Sequence, residues 1–252
     1  MKKQVIAFDL DDTLSVTKTP MSDRMGELLT RLLDKYEVCI ISGGWFQQFQ
    51  MQVIDRLVAT PRELARLHIM PTCGTQYYRY DEVTEKWVEQ YAINLTEEQK
   101  KRAIDALESS AKELGYWEEK PYGEIIQDRG SQITLSALGQ KAPAELKYKW
   151  DPTGEKKLKL RYLVATKLPD LEVRAGGTTS IDITIMGVDK AYGMKKLTEE
   201  MNIDKDDILF IGDKLQEGGN DYPVKAMGID TIEVERSEGT ELVLEGILGV
   251  TD

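Results

Sequence analysis

Asp9 and Asp11 stand one residue apart at the end of an apolar, β-prone run, Val5-Ile6-Ala7-Phe8. Two carboxylates delivered into a turn at that spacing suit phosphoryl transfer around a magnesium ion. Asp12 makes a third acid within four residues, and such a group would repel itself strongly in a dry core unless a cation or solvent offset it. Ligand sets built from oxygen alone favour Mg²⁺. An acidic turn that simply closes a buried strand is the alternative for this segment taken alone. A calcium loop of the EF-hand kind fits poorly, because counting from Asp9 its glycine and closing glutamate would fall on Leu14 and Pro20.

Further signals follow in chain order. Ser42 ends a second apolar run, and its hydroxyl can hydrogen-bond a phosphoryl oxygen, although a serine before Gly43 and Gly44 is also ordinary turn chemistry. Lys190 follows Val188-Asp189 just before a helical stretch; it is either a solvated surface residue or a positive charge for a transferring phosphoryl group. The run Ile208-Leu209-Phe210-Ile211-Gly212 hands Asp213 to a strand end, and Gly218-Gly219-Asn220-Asp221 follows. Glycines there leave room for close approach, whereas a polar β-turn is the alternative.

These residues need a scaffold that gathers strand ends. A strand apolar at four successive positions reads as central in a parallel sheet covered on both faces, and such sheets bind ligands beyond their carboxyl ends. Residues 22–35 carry a helical stripe of Met25, Leu28, Leu29, Leu32 and Leu33 behind a Ser22 cap. Residues 38–41 read as a buried strand and 46–58 as a helix, while 69–71 lead through a glycine turn into a strand at 76–80. His68 reads as a strand-entry residue rather than a catalyst, and Trp45 as a packing aromatic. This alternation belongs to a doubly wound α/β fold.

At about residue 86 the texture changes. Residues 87–95 read as a strand, and a Thr96/Gln99 capping box opens a helix running to about 114. Strands at 125–127, 132–138, 171–174 and 180–185 surround helices at 143–148 and 155–167, with Gly176-Gly177 as a hairpin-like turn. The core pattern resumes near Val188, with helices at 193–201, 222–227 and 240–248 and strands at 208–211 and 231–234. The expected organisation is a Rossmann-like doubly wound parallel sheet built from residues 1–85 and 187–252, with an α+β domain inserted as residues 86–186.

Composition bounds the partners. A chain of 252 residues is long enough for such an insertion, and its net charge of −11 argues against an electrostatic nucleic-acid footprint. Cys39 and Cys73 lack metal-ligand spacing and fit a reduced compartment. The apolar run after Met1-Lys2-Lys3 stops at Asp9, too soon for a secretory signal, and no stretch is long enough to span a bilayer. A cytoplasmic protein with neither nucleic-acid nor membrane partners is expected.

In order and residue type, Asp9-Leu10-Asp11-Asp12-Thr13, Ser42, Lys190 and Gly212-Asp213 with Gly218-Gly219-Asn220-Asp221 resemble the motifs of the haloacid dehalogenase superfamily. The resemblance spans essentially the whole chain, and the inserted unit resembles the α/β cap of subclass IIB. It implies that Asp9 attacks phosphorus to form an aspartyl-phosphate and that Asp11 is the acid and base. It also implies a Mg²⁺ site of Asp9, Asp11 (by its main-chain carbonyl), Asp213 and Asp221, with Asn220 helping to order the surroundings. Lys190 would screen the dianion, and Ser42 with Gly43 would position its oxygens. A non-catalytic sugar-phosphate-binding protein would have no physical need for this set.

Within the superfamily the chain looks most similar to eukaryotic-type phosphomannomutases. The similarity rests on the long loop between Asp213 and Asp221, on Arg129-Gly130, on residues 136–140 and on Gly176 to Asp182 leading to Lys190. It implies that Arg129, Ser180 and Asp182 face a small sugar phosphate, with Arg129 binding phosphate bidentately, and that a homodimer forms through the cap. The chain departs from the family pattern at Gln140, Lys147 and Lys18, where arginines are expected, and at Ser42, where mutases tend to carry glycine. Losing planar bidentate donors weakens the grip on a second phosphate. The expectation is therefore hydrolysis of a sugar phosphate, with a sugar phosphomutase as the alternative.

Overall fold

The computed structural model describes residues 3–251. The chain divides into two compact units, Met1–Ala92 with Asp189–Asp252, and Ile93–Val188.

The first unit opens with β1 (Val5–Phe8), whose side chains are all buried. α1 (Asp23–Lys35) follows, and the Ser22 hydroxyl caps it by accepting from the Met25 N–H at 3.0 Å. Then come β2 (Glu37–Ile41), α2 (Phe46–Gln52), α3 (Pro61–Leu64), β3 (Leu67–Met70), β4 (Gln76–Asp81) and β5 (Lys86–Ala92). The helix expected over residues 46–58 stops at Gln52. Its carbonyl is taken by the Met21 N–H at 2.9 Å, Val53 leaves helical dihedrals, and Ile54–Arg56 forms a separate 3-10 turn.

The expected domain boundary at residue 86 is corrected, because β5 pairs antiparallel with β4 along its whole length and belongs to the first unit. The change of texture there marks a largely exposed edge strand carrying Lys86, Glu89 and Gln90, which is how sheets blunt their edges.

The second unit contains α4 (Glu97–Glu113), β6 (Ile126–Asp128), β7 (Ile133–Ser136), α5 (Ala144–Trp150), α6 (Glu155–Lys167), β8 (Leu171–Ala175) and β9 (Ser180–Ile185). α4 begins with the Thr96/Gln99 capping box. Its antiparallel sheet runs β6-β7-β9-β8. Period-two alternation sends Ile133, Leu135, Ile181, Ile183 and Val173 into a core with Ala103, Leu107, Leu160 and Val164 of α4 and α6. The opposite face is polar: Gln127, Thr134, Asp182 and Arg174 stand in one row across all four strands.

The chain returns to the first unit with α7 (Lys190–Met201), β10 (Ile208–Gly212), α8 (Tyr222–Ala226), β11 (Asp230–Glu233) and α9 (Ser237–Gly249). The seven strands run β11-β10-β1-β2-β3-β4-β5, parallel from β11 to β3 and antiparallel beyond. Ile6 and Phe8 pack with the apolar stripe of α1 and with Leu244 and Leu248 of α9, whereas Val5 and Ala7 pack with Met194 and Leu197 of α7. A strand buried on both faces between helical layers is the expected doubly wound α/β arrangement. Among the described residues no helix is long and apolar enough to cross a membrane.

Candidate active site

β10, β1 and β2 are adjacent and parallel, so the residues that follow them, Asp213, Asp9 and Ser42, emerge at the same sheet edge. The Asp9 N–H donates to the Ile211 carbonyl at 3.0 Å, continuing the ladder, and its side chain is buried. Asp221 returns to the edge through a tight loop: its N–H donates to the Lys214 carbonyl at 3.2 Å, and the Lys214 N–H donates to Asp221 Oδ2 at 3.0 Å. Two glycines make this possible. A Cβ at Gly212 would lie 2.5 Å from Asp221 Oδ2, and one at Gly219 would lie 2.1 Å from the Lys214 carbonyl oxygen. Carboxylate oxygens of Asp9, Asp213 and Asp221 all fall within 4.8 Å of one another.

Lys190, the first residue of α7, reaches into this cluster and is 2% exposed. Its Nζ lies 2.5 Å from Asp9 Oδ1 and 2.5 Å from Asp221 Oδ1. The helix is started by the Asp189 carboxylate, which accepts from the Tyr192 N–H at 2.9 Å. Burial works to lower the lysine, but the Asp221 and Asp9 charges outweigh it and hold the ammonium above its usual range. For Asp9 burial dominates; with the neighbouring Asp221 and Asp213 charges it raises the carboxyl well above its usual range against the pull of Lys190. Lys214, exposed beside the cluster, donates to Asp213 Oδ2 at 2.7 Å.

Three carboxylates facing two ammonium groups leave an excess of negative charge. Asp213 Oδ1 is buried and has no hydrogen-bond partner among the described residues. An orphaned carboxylate oxygen in an all-oxygen set fits a hard divalent cation such as Mg²⁺.

The side chain of Asp11, expected as acid and base rather than as a metal ligand, is not part of this triad. Its Oδ1 accepts from the Lys18 N–H at 2.9 Å and from Gln52 Nε2 at 3.1 Å, and its Oδ2 accepts from Gln48 Nε2 at 3.1 Å. Three donors hold the carboxylate in place, and its main-chain carbonyl is the atom expected as a metal ligand. Asn220, beside Asp221 in the same loop, is exposed. Ser42 is buried, and its Oγ accepts from the Gly44 N–H at 3.2 Å while Gly43 occupies the bend between them. The serine thus shapes its own turn.

In the second unit Arg129, Ser180 and Asp182 are all on or beside the polar face of the sheet. Arg129 Nε donates to Gln127 Oε1 at 2.9 Å, and Ser180 Oγ meets Ser136 Oγ at 3.4 Å. Asp182 Oδ1 accepts from Thr134 Oγ1 at 2.7 Å and Gln132 Nε2 at 3.1 Å. Buried Lys147 donates to the Gln140 carbonyl at 3.1 Å.

His68 sits within β3, not at its entry. Its ring contacts Tyr77 Oη at 2.7 Å and Glu37 Oε2 at 3.0 Å, in a buried structural network. The sequence reading missed Lys214, Gln48 and Gln52. The signal for the glutamines was polar residues four apart in a short helix, with Phe49 between them.

Residues 25–246 match the family model for eukaryotic phosphomannomutase, a stretch that includes Lys190, Asp213 and Asp221 and begins after Asp9 and Asp11. A phosphomannomutase of Encephalitozoon cuniculi is 28% identical over 239 residues, covering 88% of this chain and 84% of its own. One from Saccharomyces cerevisiae is 25% identical over 236 residues, covering 87% and 84%. Among solved structures, the IMP-bound, N-terminally truncated IMP-nucleotidase of Plasmodium falciparum superposes with a TM-score of 0.69 at 15% identity, covering 98% of this chain and 68% of that one. A haloacid dehalogenase-like hydrolase from Bacteroides thetaiotaomicron superposes with a TM-score of 0.61 at 15% identity, covering 98% and 100%. At those identities the solved structures speak for the fold alone.

Proposed function

Starting from a chain that belongs to the eukaryotic phosphomannomutase family of the haloacid dehalogenase superfamily, we propose a sugar phosphomutase that moves a phosphoryl group between hydroxyls of a hexose phosphate through an aspartyl-phosphate on Asp9. The observation that carries phosphoryl transfer is Lys190 Nζ at 2.5 Å from both Asp9 and Asp221. A buried ammonium beside the nucleophile offsets the repulsion between a phosphoryl dianion and a carboxylate.

Asp9 attacks phosphorus, the bond from phosphorus to the leaving sugar oxygen breaks, and Asp11 gives that oxygen a proton. In the reverse sense Asp11 takes the proton from the accepting hydroxyl as the phosphoryl group leaves Asp9. Asp9, Asp213 and Asp221 would hold Mg²⁺, which when bound supplies charge neutralisation at the phosphoryl oxygens. The polar sheet face of the second unit, with Arg129, Ser180 and Asp182, supports a sugar-phosphate ligand by its chemistry.

A second reading, hydrolysis, is favoured by Gln140 and Lys147. Lys147 offers a point charge where an arginine would offer a planar fork, so a second phosphate is held less firmly and water competes as acceptor. The test is a panel of hexose 1- and 6-phosphates with Mg²⁺, run with and without a hexose bisphosphate. Bisphosphate-dependent interconversion without net phosphate release supports the mutase; steady release of inorganic phosphate replaces it with the phosphatase.

A further inference from the structure

α2 carries Gln48 and Gln52 four residues apart, hence on one face. Both are buried, and both amides converge on Asp11. Gln52 Nε2 donates to Asp11 Oδ1 at 3.1 Å and to Ser15 Oγ at 2.7 Å, whereas Gln48 Nε2 donates to Asp11 Oδ2 at 3.1 Å. Together with the Lys18 N–H they give Oδ1 two donors and Oδ2 one.

Stability alone would not select this arrangement. Gln52 Oε1 is buried without a hydrogen-bond partner among the described residues, a costly state that an apolar side chain of similar volume would avoid. Space for Gln48 is also reserved: a Cβ at Gly44 would lie 2.6 Å from Gln48 Oε1. The Ser42-Gly43-Gly44 turn therefore makes room for the amide that orients Asp11.

We infer that Gln48 and Gln52 are positioning residues that aim the Asp11 carboxylate for proton transfer. Gln52 anchors Oδ1 and ties it to Ser15; Gln48 fixes the rotation of the carboxylate plane. The inference rests on the proposed role of Asp11 as acid and base. A carboxylate displaced by a fraction of its own width loses the alignment on which proton transfer depends.

The test uses Gln48→Met and Gln52→Met, which keep volume and remove the donors. For each variant kcat and KM on the hexose phosphate panel, the unfolding midpoint, and the Lys18 amide resonance with its hydrogen exchange are measured. The expected result is kcat lowered about tenfold to a hundredfold with KM within about twofold. The Gln52→Met midpoint should be held or raised, and the Lys18 amide should shift and exchange faster. Unchanged kcat in both variants of a protein that turns over the panel overturns the inference. So does a loss of kcat that tracks an equal loss of folded protein. If the wild-type protein turns over no sugar phosphate, the proposed function fails separately, and an unmoved Lys18 amide still overturns the positioning role.

Discussion

Gly74 and Gly193 meet backbone to backbone: a Cβ at Gly74 would lie 2.5 Å from the Gly193 Cα, and one at Gly193 would lie 2.7 Å from the Cys73 carbonyl oxygen. Thr72, Cys73 and Gly74 all have positive φ, so this turn is held in a conformation that most side chains resist. Its N–H groups bind the Ser42 turn, Cys73 to the Ser42 carbonyl and Thr72 to the Gly44 carbonyl, both at 2.9 Å. One strained turn thereby locks the Ser42 loop and the helix that presents Lys190.

Gly193→Ala should consequently displace α7. The added methyl would lie 2.3 Å from Ile41 Cδ1, and overpacking of this kind costs about 1–3 kcal/mol. Denaturant unfolding should report that loss, together with a lower kcat because Lys190 is moved. Full activity and stability in the variant would show that the contact relaxes freely.

Lys190→Met removes the cation between Asp9 and Asp221. Breaking a buried ion pair by deleting one partner costs about 3–5 kcal/mol, and the loss of positive charge at the nucleophile should lower kcat by about a hundredfold or more. Equilibrium unfolding in chelator and in Mg²⁺ should find part of the stability restored by the ion. A variant as stable as the wild type in chelator would contradict the charge balance described for the cluster.

Divalent binding has its own signature. After chelation, Mg²⁺ at a hundredfold excess over its Kd should stabilise the protein by about 2.7 kcal/mol. Asp213→Asn should lose most of that gain. A midpoint that ignores Mg²⁺ in the wild type would remove the triad as a cation site.

The Glu37–His68 pair predicts a pH effect far from this cluster. Burial lowers His68 below its ordinary value of 6.5 despite the Glu37 hydrogen bond. Burial opposes Glu37, but the His68 bond and the charges of His68, Arg66 and Arg79 bring it below its usual value of 4.5. The unfolded chain therefore protonates His68 first. Its contribution is complete above about pH 6.5 and is lost as pH falls, by at most about 1.4 kcal/mol per pH unit. Asp9, being raised, pushes the other way, so the difference between wild type and His68→Gln isolates the histidine. A difference that stays flat between pH 7 and 5 would refute this assignment.

Much of the fold was legible because its signals are local. β1, β2 and β10 are apolar runs that end in functional residues, and Ser22 and Thr96 announce their helices by caps. Long-range contacts hid the rest. The end of α2 depends on the Met21 N–H taking the Gln52 carbonyl, and the direction of Asp11 depends on amides 37 and 41 residues away. β5 carries a foreign texture because it is an exposed edge, and α3 is only four residues long, although Thr60 and Glu63 form its capping box and Pro61 is its first residue. Among the candidate site residues, Asp9, Lys190, Asp213 and Asp221 converge in the first unit, whereas Asn220 is turned to solvent.

The nucleophile can be read directly by quenching the protein in acid during turnover with Mg²⁺ and a hexose phosphate or bisphosphate, then mapping peptides by mass spectrometry. A phosphoryl adduct on the peptide containing Asp9, absent in Asp9→Asn along with all turnover, is the predicted result. Turnover that persists in Asp9→Asn, or an adduct that maps to another residue, would contradict it.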